Sequence, residues 1–485
     1  MSITANILKS SSFLILLRFV QRGIGFVSTL ILARLLTPQD FGIVAIAVTI
    51  LYFFDAMSSL GSEQYIVQKT HVSNEDLNTA WTVEIVFKII FFFLLIISVP
   101  IITDYYKNNE LANILYSISS ILIIGAFKNP GMYLLKKEFK YKSIFWLSLL
   151  QKTISFSIVI FITVIKPSYW AIIIGDIVSS FVLTIGSYMI HNFRPKVSIK
   201  KIKEQWAFSK WIIVRGVLGY TRSQIDLFLV SSQFNTKELG GYHLVRGLSV
   251  MPSTDIIAPA IEPLLAAFAL TKQDHKRFAY QVRVSLLFIV IVALPISCFI
   301  WFFPIPIIET ILGDQWIKTY PILSALSVLF FFITLGQVLN QSCVAFGKVK
   351  SLFFYEIISF VFIAGVLFLI VGVDLYEFSL VRGILAGITT CSLFVYVAML
   401  IPLNVKYVIV LAIPTILSSA VSVLIVYQFI NIDFIYPVVK LITLFLVYNL
   451  SYLLSIWLFY QIHYKNTAEW FHIKHYFSKI ILRRH

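Results

Sequence analysis

Charge is scarce in this chain. Asp, Glu, Lys and Arg make up 13% of its 485 residues, against 59% hydrophobic ones. That excludes an ordinary soluble domain, in which about a quarter of residues are charged. Cysteine is rarer still. Cys298, Cys343 and Cys391 all lie in apolar runs, and their spacing suits neither a metal cluster nor a disulfide framework. Long polar segments are missing too: the longest connections, 62–78, 191–206 and 304–318, are each under twenty residues. No extramembrane domain is left to house a catalytic site. No glycine-rich dinucleotide loop, Walker A sequence or HExxH occurs, and His472 and His475 have ligand-like spacing without a third ligand. The chain therefore reads as a non-enzyme with no bound cofactor or metal. A cleavable signal peptide is not expected, since the first apolar run is too long for one.

What is present is hydrophobic length, with a mean hydropathy of +0.88. Fourteen stretches each suffice to cross a bilayer, which takes roughly 20 residues for ~30 Å of hydrocarbon. They run over 11–36, 41–60, 79–102, 111–135, 144–165, 169–190, 207–231, 240–270, 280–303, 319–345, 352–372, 376–400, 405–430 and 435–460. The odd-numbered connections between them hold only Lys107, Lys166, Lys237 and Lys318. Even-numbered connections are basic, as in Lys136 to Lys142 and Arg194 to Lys203. Positive charge resists translocation, so the basic side is cytoplasmic and both termini lie there.

The net charge of +16 would suit a nucleic-acid binder. Here the charges sit in short loops that set topology and meet anionic membrane lipids, so no nucleic-acid partner is expected. The basic, aromatic tail, 461–485, is expected to be an amphipathic helix on the bilayer surface.

The 191–206 linker divides the chain into six spans and eight. Across it lies a weak repeat: Leu36-Thr37-Pro38-Gln39-Asp40-Phe41-Gly42 and Phe234-Asn235-Thr236-Lys237-Glu238-Leu239-Gly240 align without a gap at an offset of 198 residues. Thr37 with Asp40 and Asn235 with Glu238 suit capping boxes, and Pro38 suits a first helical position. An even number of spans separates the hairpins, so the repeat is parallel. The fold expected is an all-α membrane protein in which two six-helix lobes, 1–190 and 207–400, enclose a central cavity. Two further helices, 401–460, precede the tail.

Ionisable groups inside spans cost at least ~2.5 kcal/mol each and normally face a bundle interior or water. Arg18 and Arg22 share one face of span 1; Arg215 and Arg222 share one face of span 7, with Asp226 a turn on. Span 8 carries Arg246, Asp255 and Glu262, and spans 2 and 6 carry Asp55 and Asp176. No acid lies one turn from Arg18, Arg22 or Arg215, whereas Arg222 and Asp226 could be a structural pair. Glu84 and Lys88, a turn apart, would neutralise each other, and Arg34 would snorkel to the headgroups. Arginine grips phosphate oxygens bidentately and stays charged, so Arg18, Arg22, Arg215, Arg222 and Arg246 are the candidates for binding an anionic substrate. Asp55, Asp176 and Asp255 are candidates for ion coupling or for structural pairing with those arginines.

The segment Ala33 to Gly42 resembles the first hairpin of Wzx-type polysaccharide flippases, of the multidrug/oligosaccharidyl-lipid/polysaccharide (MOP) superfamily. Trp206 to Trp211, Arg222-Ser223-Gln224-Ile225-Asp226 and Leu239-Gly240-Gly241-Tyr242 are similar to the start of that family's second lobe, and the colanic-acid-exporter-like branch is the nearest in pattern. The resemblance implies alternating access for an undecaprenyl-diphosphate-linked oligosaccharide across the bacterial inner membrane, for O-antigen, capsule or exopolysaccharide synthesis. A proton or sodium gradient would drive it, with a polysaccharide polymerase and other assembly proteins as partners. Related flippases hold diphosphate with arginines in the first, second and eighth helices. Arg18, Arg22 and Arg246 lie in comparable helices, but span 2 offers Asp55 and no arginine. A multidrug antiporter would want an acidic cavity, and a membrane-embedded polymerase or glycosyltransferase a large periplasmic loop; neither is seen.

Overall fold

The computed structural model describes residues 3–370, 372–430, 432, 436–464 and 467–473, with side chains described from residue 19 onward, His463 excepted. Among them every regular element is helical. The chain forms two compact units, Met1–His243 and Leu244–His485. Among the described residues, eleven helices are long and apolar enough to cross a membrane, or twelve if one bent pair counts as a single span.

The first unit holds α1 (Ile3–Leu35), α2 (Pro38–Ser58), α3 (Ser62–Gln68), α4 (Asn74–Tyr106), α5 (Glu110–Ala126), α6 (Gly131–Lys137), α7 (Tyr141–Ile165), α8 (Trp170–Ile190) and α9 (Ile202–Gln233). Helix α10 (Thr236–Met251) begins in it. Here α1 packs on α7, α7 on α8, α8 on α5, and α5 on α2 and α4. The unit extends past the 191–206 linker because α9 lies along α2, α3 and α4. Helices α1 and α9 match predicted spans 1 and 7 but fall outside the apolar set. Each carries charge within its length, as Arg18 and Arg22 or Arg215, Arg222 and Asp226.

Predicted span 4 is the bent pair, α5 and α6 meeting at 66°. Asn129 sits fully buried in the break and donates to the carbonyls of His191 and Phe193 at 3.2 and 2.8 Å. Its own backbone N–H reaches Ser187 Oγ, so the interrupted helix leaves no orphan there.

Both predicted caps form. Thr37 and Asp40 exchange side-chain and backbone bonds at the start of α2. Asn235 and Glu238 do the same at α10, at 3.2 and 2.9 Å. The two hairpins also meet. A Cβ on Gly42 would lie 1.8 Å from the carbonyl oxygen of Thr236, and one on Gly240 would lie 1.9 Å from that of Pro38. Pro38 and Thr236, like Gly42 and Gly240, are equivalent positions of the sequence repeat. The contact is therefore reciprocal, as across a local two-fold axis, and only glycine lets the backbones approach so closely.

The linker is more tightly held than a loose connector. Lys69 bridges Asp76 at 2.7 Å and Glu204 at 2.9 Å, Lys201 pairs with Glu204, and Lys200 with Glu75. Lysines expected to face lipid headgroups are thus partly engaged by acids. Burial works against the Lys69 charge, but hydrogen bonds to Asp76 and Glu204 outweigh it and hold its ammonium above the ordinary lysine range. Glu204 is held low by Lys201 and Lys69.

The second unit continues α10 into a π-helical stretch, Pro252–Ile257, then α11 (Ala258–Ile261) and α12 (Leu264–Thr271). Span 8 runs from Thr236 to Thr271 as one candidate span, and Pro252, Pro259 and Pro263, which lack the N–H of a regular ladder, make its middle irregular. Next come α13 (His275–Phe302), α14 (Pro304–Ile311), a 3₁₀ turn (Asp314–Thr319), α15 (Tyr320–Ala345), α16 (Val349–Leu369), α17 (Leu375–Leu400), α18 (Val405–Tyr427) and α19 (Pro437–Phe459). Helix α15 is the hub, packed on α12, α13 and α17. The expected 304–318 loop is thus largely helical, anchored by the buried Trp316.

The described part of the tail, 467–473, packs against helices of the second unit. Glu469 is 2% exposed and takes Arg283 Nε at 2.9 Å and the Tyr407 hydroxyl at 3.0 Å. The Trp470 indole donates to the Leu411 carbonyl at 3.2 Å. A buried carboxylate needs such partners, and α13 and α18 supply them.

Candidate functional site

Two long helices carry the predicted anion-binding groups of the first unit. Helix α1 has 33 residues and α9 has 32, neither with an internal proline. Arg22 is exposed on α1. One turn on, Gly25 faces α7, where its would-be Cβ lies 4.0 Å from Lys152 Cε. Arg18 belongs to the same helix, but its side chain lies outside the described residues. Arg215 and Arg222 are exposed on α9. Arg246 is half-buried on α10, beyond the boundary of the first unit. Arg22, Arg222 and Arg246 are engaged with neighbours. The lack of an acid one turn away therefore does not leave Arg22 alone: neighbours in space need not be neighbours on one helix.

Asp226 is fully buried and accepts the Tyr242 hydroxyl at 2.9 Å. This bond joins the Arg222-to-Asp226 stretch to Leu239-Gly240-Gly241-Tyr242, two segments on which the family resemblance rests. Their shared pattern thus has a physical basis, the tie between α9 and α10.

Two of the three coupling candidates belong to one polar centre. Asp55 on α2 pairs with Lys88 on α4 at 2.8 Å, its side chain 42% exposed and that of Lys88 only 12%. Asp176, half-buried on α8, feels the field of Lys152 on α7. Both carboxylates act on the Tyr52 hydroxyl of α2. Glu84 accepts the Tyr133 hydroxyl at 3.1 Å, and Lys128, at the break after α5, is near Glu84, Lys88 and Asp55. The expectation that Glu84 and Lys88 merely neutralise each other is corrected. Lys88 bonds across helices to Asp55, a partner 33 residues away that helical spacing cannot reveal. Asp255 stands apart in the π-helical stretch of the second unit, half-buried and bonded by Thr254 Oγ1 at 3.0 Å.

Among the described residues no group of His, Cys, Asp and Glu is arranged to hold a metal ion. His472 lies in the docked tail, and His475 lies outside the described residues. Cys298, Cys343 and Cys391 are free thiols on α13, α15 and α17.

Charged residues on span-length helices frame this candidate site, and solved structures share the fold that carries them. Over 92% of the chain the fold matches the lipid II flippase MurJ in an inward closed conformation, covering 98% of that chain at TM-score 0.73 and 18% identity. It also matches an inward-facing MATE multidrug transporter of the MOP superfamily, at TM-score 0.59 and 14% identity over 79% of this chain and 97% of the other. Residues 31–321, more than half of the chain, match the family of polysaccharide biosynthesis proteins, and the chain belongs to that family. It is 21% identical over 353 residues to the lipopolysaccharide biosynthesis protein WzxC of Escherichia coli K12, covering 71% of each chain. The Wzx-type resemblance read from the hairpins is thus borne out.

Proposed function

We propose that the protein is a flippase that carries an undecaprenyl-diphosphate-linked oligosaccharide from the cytoplasmic to the periplasmic leaflet of the bacterial inner membrane by alternating access. It has fourteen spans, twelve of them in two lobes around a central cavity, and both termini in the cytoplasm. The product feeds O-antigen, capsule or exopolysaccharide assembly, alongside a polymerase and its partners. The observation that carries the reading is the exposure of Arg22, Arg215 and Arg222 on span-length helices. A guanidinium is costly in hydrocarbon, which supports a reading in which these groups face a hydrated path that favours anions. Family membership supplies the polysaccharide context.

In this reading Arg18, Arg22, Arg215, Arg222 and Arg246 hold the diphosphate, which carries about two negative charges, through bidentate contacts that gain strength where water is excluded. Asp55, Asp176 and Asp255 take part in coupling to a proton or sodium gradient. The test is surface polysaccharide in a flippase-deficient cell, with membrane abundance measured in parallel. Arg→Lys variants keep the charge without the fork and should retain part of the export, whereas Arg→Ala variants should lose it. Full export by a triple Arg22→Ala, Arg215→Ala, Arg222→Ala variant would refute the anion path.

A further inference from the structure

The polar centre of the first unit contains a cation that the arginine pattern leaves out. Lys88 stands near the middle of α4, with its ammonium 2.8 Å from Asp55. Gly125 of α5 lies against it, a Cβ there coming into ordinary contact with Nζ at 3.6 Å. Asp55 is 42% exposed in front of a cation that is only 12% exposed. A buried charge is costly unless its partner is held in place and hydrogen-bonded, so a structural counter-ion is normally fixed rather than open to solvent. Here one partner is closed off and the other is open.

Among the described residues the charges around this pair balance. Asp55, Glu84 and Asp176 are the acids and Lys88, Lys128 and Lys152 the bases, with the Lys136–Glu63 ion pair beside them. They come from α2, α4, α7, α8 and the break after α5, with Tyr52 and Tyr133 as the neighbouring hydroxyls. A neutral centre offers no net attraction to an anion until one carboxylate yields. At 1.5 Å per residue, Asp55 and Lys88 lie roughly 8–14 Å inside the cytoplasmic ends of their predicted spans. That is within reach of a diphosphate entering from the headgroup level.

We propose that Lys88 is a phosphate-binding cation of the transport path and that Asp55 is its resident counter-ion, displaced by the substrate's diphosphate. The inference rests on the flippase reading. An incoming phosphate oxygen accepts the hydrogen bond that Lys88 otherwise gives to Asp55. The freed carboxylate turns to the water to which it is already open. When the phosphate leaves, Lys88 returns to Asp55. No covalent bond is made or broken.

The experiment measures binding of a polyprenyl diphosphate to purified protein in lipid nanodiscs at neutral pH, with export in cells alongside. Asp55→Asn should bind tighter than wild type, Lys88→Met should bind at least tenfold more weakly, and Lys88→Arg should keep most of the affinity. A double Asp55→Asn, Lys88→Met variant removes both charges together and reads the same loss if the single Lys88→Met variant fails to reach the membrane. The swap Asp55→Lys with Lys88→Asp separates binding from structure: it should restore abundance without restoring affinity. Wild-type-like binding by the swap, or by Lys88→Met, overturns the inference and leaves the flippase reading standing. A wild type that neither binds the diphosphate nor restores export overturns both.

Discussion

Single residues carry this protein's polar energetics, because each buried charge must find its own partner. Tyr242 donates to a carboxylate with no exposure at all. Tyr242→Phe removes that donor at a cost of about 1–3 kcal/mol. The expected outcome is lower membrane abundance and an earlier thermal transition in detergent; unchanged values would show that Asp226 is satisfied without it. Sequence spacing found Asp226 and offered Arg222 as its partner. The tyrosine lies 16 residues on, past the turn into α10, so no rule of helical faces reaches it. The same limit hid the Asp55–Lys88 pair.

At the scale of elements, the hairpins show the closest link between sequence and structure. A capping box needs only residues three apart, so both boxes were legible before any fold was known. Their meeting was not. Gly42→Ala or Gly240→Ala would put a methyl group into a facing carbonyl, a strain of about 1–3 kcal/mol. Each variant should lose export, and Ala at an open position such as Gly23 should not; equal export from all three would show that the hairpins need not touch.

The tail makes a second such case. Its amphipathic composition was plain, but the groups that clasp it, Arg283 and Tyr407, lie 186 and 62 residues from Glu469. Glu469→Ala leaves Arg283 without its carboxylate and should expose the tail to limited proteolysis. The linker responds to pH in a defined direction. Glu204 is held low, so its pairing persists above the usual carboxylate range, about 4.3, and fades only as pH falls below it. Hydrogen exchange at 199–206 should therefore stay flat from pH 8 to 6 after correction for the intrinsic rate, and Lys69→Met should raise it.

For the whole molecule, the prediction is orientation. Single cysteines at Lys201 and Asp314, with Cys298, Cys343 and Cys391 replaced, should differ in labelling by an impermeant maleimide in intact cells. Asp314 should label and Lys201 should not; the reverse would overturn the topology. By itself the sequence determined that the chain is helical and membrane-embedded, where most helices begin, and that its paired hairpins repeat. Those properties depend on apolar run length, loop charge and capping, all read within one or two turns. Only the tertiary structure decided which acid faces which base, that α9 lies along α2, and that the tail is clasped. In a low-dielectric interior a charge takes whichever partner packing brings within about 3 Å, whatever its distance along the chain.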